Sequence, residues 1–151
     1  MSRKFLSYNF LEHDSHTSIE HVAPESDEDA NWKKSGIYDI PNLKHTLGNL
    51  ALIPQKLNIK LSNHSWEIKK NIYAAISSSD ENVREESLNK AKKAGLNLSK
   101  NVYDSLKSFE ETSELLKGIS DTNNWNASFV QKRSKRICEL AWDELVGWLK
   151  L

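Results

Sequence analysis

Glu20 and His21 stand side by side in a short β-prone run, Thr17 to Val22, which Ala23-Pro24 stops. Two further short segments follow, Leu47-Gly48-Asn49-Leu50-Ala51-Leu52 and Lys56-Leu57-Asn58-Ile59-Lys60. These residue types can do a definite chemistry. A neutral histidine, with a reference pKa of about 6.5, can take a proton from water at neutral pH once its other ring nitrogen is held. A hard divalent ion takes oxygen ligands, which a carboxylate and an amide carbonyl provide. Base and cation together are the equipment of metal-assisted hydrolysis. A lone histidine is more often structural, so the weight rests on the ordered set.

The elements around these residues must position them. Leu50-Ala51-Leu52-Ile53 is a second strand, and Pro54 suits the start of a helix over Gln55 to Leu61. Residues 25–46, with Gly36, Pro41 and Asn42, form a long loop with a turn of helix around Trp32. Lys4 to His13 carries Phe5, Leu6, Phe10 and Leu11 at helical spacing. Ser65 caps a helix from Trp66 to about Ile76, and Asp80 caps one reaching Ala94 and closed by Gly95. Another helix is expected from Ser99 to Lys117, and Asn126 caps a last one to about Trp148. The expected fold is therefore mostly α with a small ββα insert, a helical bundle packed around a two-stranded hairpin. One domain spans 1–151, with the ββα part at about 17–63 and the helical part at about 65–150. Adjacent strand residues point to opposite faces, so Glu20 and His21 share a site only if the strand ends or twists there, which Pro24 allows.

Composition sets the outer bounds. The 151 residues are 38% hydrophobic and 28% charged, which suits a soluble globular chain and excludes full disorder. Cys138 is the only cysteine, so neither an internal disulfide nor a cysteine-based zinc knuckle can form within one chain. No apolar run approaches the roughly 18 residues of a membrane span, and no signal-peptide core follows the start, so a cytoplasmic setting is expected. The formal net charge is zero, which argues mildly against nucleic-acid binding. Its distribution argues the other way. Residues 14–31 carry only acidic charges, residues 32–72 are lysine-rich, and Lys132, Arg133, Lys135 and Arg136 cluster near the end. Carboxylates beside lysines suit a metal site next to a phosphate track, although solvated surface charge explains any single one.

The three short segments resemble the HNH branch of the His-Me finger nucleases: a strand ending in an acid-His pair with Pro close behind, then Asn-Leu leading a second strand, then Asn on a short helix. A closer resemblance is to the C-terminal nuclease domain of GmrSD-type modification-dependent restriction systems. It runs through Ile19 to Pro24, Leu47 to Pro54 and Leu57 to Asn63, and into the tail through Trp125, Val130, Arg133, Ile137 and Ala141.

The resemblance implies a DNA endonuclease of a restriction or anti-phage system that hydrolyses phosphodiesters with Mg²⁺ or Mn²⁺. His21 is then the base, Glu20 and Asn58 are metal ligands, and Asn49 braces the loop and orients His21. Lys56, Lys60, Asn63 and Arg133 are the expected nucleic-acid contacts. Arg133 shares a helix face with Val130 and Ile137, so it meets either a carboxylate or a phosphate. No structural zinc is expected, and Leu52, Ile53 and Leu57 replace the knuckle of other HNH proteins by packing. His45, His64 and Lys69 read as ordinary loop or solvated residues, and the five tryptophans as core anchors. The partners implied are DNA, modified or not, and a nucleotide-handling N-terminal domain or subunit absent from this chain; no membrane is implied. A glycine-rich phosphate loop is absent, so no NTP hydrolysis by this chain alone is expected. The alternative reading is a DNA- or partner-binding module whose nuclease site is latent without that domain. A ribonuclease toxin is a third, since a metal-and-base site does not itself select the sugar.

Overall fold

A computed structural model of the chain describes residues 18–26, 32–107 and 116–149. Strand β1 (Ser18–His21) pairs antiparallel with β2 (Leu50–Ile53) in the register Ser18 to Ile53, Ile19 to Leu52, Glu20 to Ala51 and His21 to Leu50. Because side chains alternate across a strand, the hairpin has two unlike faces. Glu20, Ala51 and Ile53 are buried, whereas Ile19 is exposed and His21 half-buried.

Pro54 ends β2, and its carbonyl accepts from Leu57 and Asn58 to start helix α1 (Gln55–Leu61). Ile53 and Leu57 both lie in the core, while Leu52, the third residue expected to pack there, faces the other side of the hairpin and is half-buried. Helix α1 stops at Ser62, whose φ of 36° lies in the left-handed region and whose amide returns to the Asn58 carbonyl. Helix α2 (Trp66–Ser77) buries Ile68, Ile72, Tyr73, Ala75 and Ile76. It packs against α3 (Glu81–Lys93), whose inner face carries Leu88 and Ala91. Asp80 caps α3 by accepting from the Asn82 and Val83 amides. Such a cap contributes about 1 kcal/mol. Ser65 also occupies a cap position, but its hydroxyl makes no cap bond; the Lys69 amide reaches its carbonyl instead.

Helix α4 (Lys100–Lys107) follows, with Val102 and Leu106 in the core. The expected helix to Lys117 is described only that far; Leu116 to Gly118 form a turn. The expected helix over Lys4 to His13 lies outside the described residues. The last helix, α5 (Ala127–Leu149), starts at Asn126, whose Oδ1 accepts from the Phe129 amide at 3.0 Å. Five α-helices and one antiparallel hairpin among the described residues make the fold mostly helical around a small ββα unit. No described helix is long and apolar enough to cross a membrane.

One expectation about large side chains changes here. Trp32 and Trp125 are core anchors and Trp66 is half-buried, but Trp142 and Trp148 are exposed. They lie on the distal half of α5, beyond Val130 and Arg133, the last residues of that helix to be buried. The long loop has the expected helical turn beside Trp32 and further turns after it. It contains 3-10 turns at Lys33–Ser35 and Leu43–His45, with another at Leu47–Asn49 leading into β2.

Candidate active site

Where the long loop returns to the hairpin, one buried asparagine ties its parts together. Asn49 is fully buried, and its side chain makes four hydrogen bonds. Its Oδ1 accepts from the Ala23 amide and the Trp125 indole, and its Nδ2 donates to the Ala23 and Lys44 carbonyls. Buried donors and acceptors left unmatched are costly, so this saturation fixes the position of everything attached to it. Attached on one side is the end of β1 with His21 and the segment after it with Glu25; on the other is the turn that carries His45. Asn49 makes no hydrogen bond to the His21 ring and acts on it only through this backbone.

The turn at Leu47–Asn49 is in turn clamped by α5. A Cβ on Gly48 would lie 1.9 Å from the Val130 carbonyl oxygen, so only glycine permits the helix to approach this closely. The Gly48 amide donates to Ser134 Oγ at 2.8 Å. Arg133 inserts beside it, and one guanidinium nitrogen donates to the carbonyls of Leu47, Gly48 and Leu50 at 3.1, 2.7 and 2.9 Å. Arg133, expected as a phosphate contact, is only 9% exposed here, and these bonds tie it to the turn at Leu47 and Gly48 and to the start of β2. Burial lowers its pKa to about 10, with the Tyr73 phenol opposing, so it stays charged at neutral pH.

Glu20, expected as a metal ligand, lies on the buried face of the hairpin, where its carboxylate meets the Lys69 ammonium from α2. The same ammonium donates to the His21 and Val22 carbonyls at 3.2 and 3.0 Å and lies 5.8 Å from the centre of the Trp32 ring. Burial raises the Glu20 pKa while Lys69 opposes it, and burial lowers that of Lys69 while Glu20 opposes it. Lys69, expected to be solvated, is fully buried. The strand stays regular through His21, so alternation sends Glu20 inward and His21 outward. Asn58, the other expected ligand, donates its amide to Ser18 Oγ and to the Ile19 carbonyl, at the end of β1 away from His21. Lys56, Lys60 and Asn63 are exposed on or just after α1.

The group that does gather around His21 is different. His21 Nε2 lies 3.3 Å from His45 Nδ1 and 3.5 Å from Glu25 Oε1, with the two rings edge to face. All three ligand atoms lie within 4.8 Å of one another, a grouping able to hold a divalent metal. Burial lowers the His21 pKa below its usual 6.5; Glu25 pulls it up, and His45, Lys44 and Lys69 push it down. The imidazole is thus neutral at neutral pH, and the Glu25 contact is a polar one rather than a full ion pair. Sequence reading missed His45. The one signal available was its place four residues before Asn49, the residue that draws the two loops together.

An accessible neutral histidine at the end of a strand, beside a carboxylate and a second histidine on a ββα unit, is an arrangement suited to hydrolysis. Residues 3–140 match the model of the C-terminal domain of GmrSD restriction endonucleases. The chain belongs to that family, and with it to the restriction-endonuclease class of nucleases. No curated protein matches the chain.

Proposed function

We propose that this domain hydrolyses phosphodiester bonds in DNA, with His21 taking the proton of the attacking water and a divalent cation, Mg²⁺ or Mn²⁺, assisting. The observation that carries the reading is the setting of His21: half-exposed beside Glu25 and His45, and fixed from behind by Lys69 on its own carbonyl and by the Asn49 brace on the next residues, with burial holding its pKa below the usual 6.5. A general base must be deprotonated at working pH, within reach of solvent and held in place.

Glu20 does not fit as a cation ligand, since its carboxylate is engaged by Lys69 on the opposite face of the hairpin. Glu25 fits better. It is the carboxylate on the His21 side, exposed, and supplies the oxygen a hard ion prefers when water and substrate phosphate complete its shell. Bound there, the cation would supply positive charge for the phosphate and the leaving oxygen. Lys44, whose ammonium donates to the Glu25 carbonyl at 2.6 Å, holds that loop in place. Lys56, Lys60 and Asn63 offer an exposed polar surface for the phosphate backbone. A nucleotide-handling domain on the same chain or a partner would direct the cutting.

The test is plasmid cleavage with each metal in turn, beside His21→Ala. Loss of a positioned base lowers rates by roughly 10²–10⁴-fold, with folding stability changed by about 1 kcal/mol or less at this half-buried site. Cleavage indifferent to His21→Ala or to EDTA would refute the assignment. Salt-dependent DNA binding without cleavage under any metal would favour the binding-module reading.

A further inference from the structure

The same three side chains that surround the open face of the hairpin also have the spacing of a different metal site. In a tetrahedral site with bonds of about 2.0–2.1 Å, neighbouring ligand atoms lie about 3.3–3.4 Å apart. His21 Nε2 is 3.3 Å from His45 Nδ1 and 3.5 Å from Glu25 Oε1. Two edges of such a site are therefore already set. The octahedral oxygen shell of Mg²⁺ has bonds of about 2.0–2.1 Å and hence edges near 2.9 Å, and Mg²⁺ has little preference for imidazole. Two imidazoles with one carboxylate favour a borderline transition ion instead.

The donors also sit on backbone that hydrogen bonds from elsewhere in the chain hold in place. The His21 carbonyl is held by Lys69, the Glu25 carbonyl by Lys44, and the Lys44 carbonyl, next to His45, by Asn49. Asn49 holds Ala23 as well, so the two loops keep their separation. Glu25 and His45 are exposed and His21 half-buried, which leaves one side open to water. In the absence of an ion, a single ring N–H shared between the two histidines satisfies the same contact.

We propose that His21, Glu25 and His45 bind Zn²⁺, and that this ion, by occupying the Nε2 lone pair of His21, inhibits Mg²⁺-supported hydrolysis. The inhibitory half rests on the reading of His21 as the base; the binding half does not. The step is simple competition. The lone pair that would accept the water's proton is donated to zinc, and no bond to substrate forms or breaks.

Zinc binding is measured on the full chain by competition with a chromophoric chelator, in a Cys138→Ser background that removes the exposed thiol. One zinc per chain is expected, with affinity reduced at least about tenfold in His45→Ala. Nitrogen-15 spectra of the rings should show zinc moving His21 Nε2 and His45 Nδ1 while His64 stays unmoved. In Mg²⁺-supported cleavage, with each protein normalised to its own zinc-free rate, His45→Ala should need at least about tenfold more zinc for half-inhibition than the wild type. Unchanged affinity in His45→Ala, or ring shifts confined to other histidines, would overturn the site. Equal zinc sensitivity of wild type and variant would overturn the inhibition. If the zinc-free protein cuts no DNA, the nuclease reading fails and takes the inhibitory half with it, while the ring spectra still decide the binding half.

Discussion

On the buried face of the hairpin Glu20 meets a lysine; on the open face, one residue later, His21 meets a glutamate and a second histidine. The inventories are alike and their states are opposite. Lys69 is fully buried and bonded to a carboxylate and two carbonyls, so its ammonium has no N–H left for a substrate. Arg133 is used in the same way at the neighbouring turn. His21 keeps a neutral ring, partial exposure and polar neighbours that can exchange with solvent. Charges that are desolvated and saturated hold loops in place. Polar groups left partly wet can do chemistry, and here the first set positions the second.

This contrast is most severely tested at Lys69. Lys69→Met leaves Glu20 buried without its cation and two carbonyls without a donor. Breaking a buried pair from one side costs about 3–5 kcal/mol, visible as a lower urea midpoint. Glu20→Gln combined with Lys69→Met should recover most of that loss, since neutral replacements remove the stranded charge. A stable Lys69→Met protein without cleavage would instead move the buried pair into the chemistry.

Next in size is Asn49→Asp, which keeps the shape but turns Nδ2 into an oxygen facing the Ala23 and Lys44 carbonyls. A loss of about 2–3 kcal/mol is expected from the unmet acceptors, read by chemical denaturation. Cleavage should fall as well, because His21 and His45 lose their common brace.

The open face is sharpened by pH. The reactive form of His21 is the neutral one, and burial lowers its pKa below 6.5. The acid limb of kcat/KM should therefore lie below that value, with rate lost about tenfold per unit as the ring protonates further. A limb at or above the ordinary histidine value would mean that His21 is no different from a solvated residue. The smallest effect is expected for Lys56→Ala and Lys60→Ala, exposed on α1. Stability should stay within about 0.5 kcal/mol. DNA affinity should weaken across sequences, and each lysine that neutralises a phosphate should lower the salt slope by about one when it is removed.

Much of the frame was written locally. A continuous apolar run bounded by Pro54 determined β2 and α1, whose bounds agree with the reading of Leu50 to Ile53 and Gln55 to Leu61. Asp80 and Asn126 signalled their helices because a cap acts on amides two or three residues away. His21 at the end of the first strand was legible for the same reason. Alternation even said that Glu20 and His21 face apart, but not which of them faces the core.

That choice needed partners far along the chain. Lys69 lies 49 residues from Glu20, Arg133 lies 85 from Gly48, and His45 lies 24 from His21. Whether a lysine is solvated or buried, an arginine grips phosphate or backbone, or a loop histidine joins a cluster depends on which element packs over it. Sequence spacing encodes the strand, the turn and the cap. Only packing decided that Glu20 would be neutralised from α2 and His21 left open beside Glu25 and His45, because desolvation belongs to the tertiary neighbours that exclude the water.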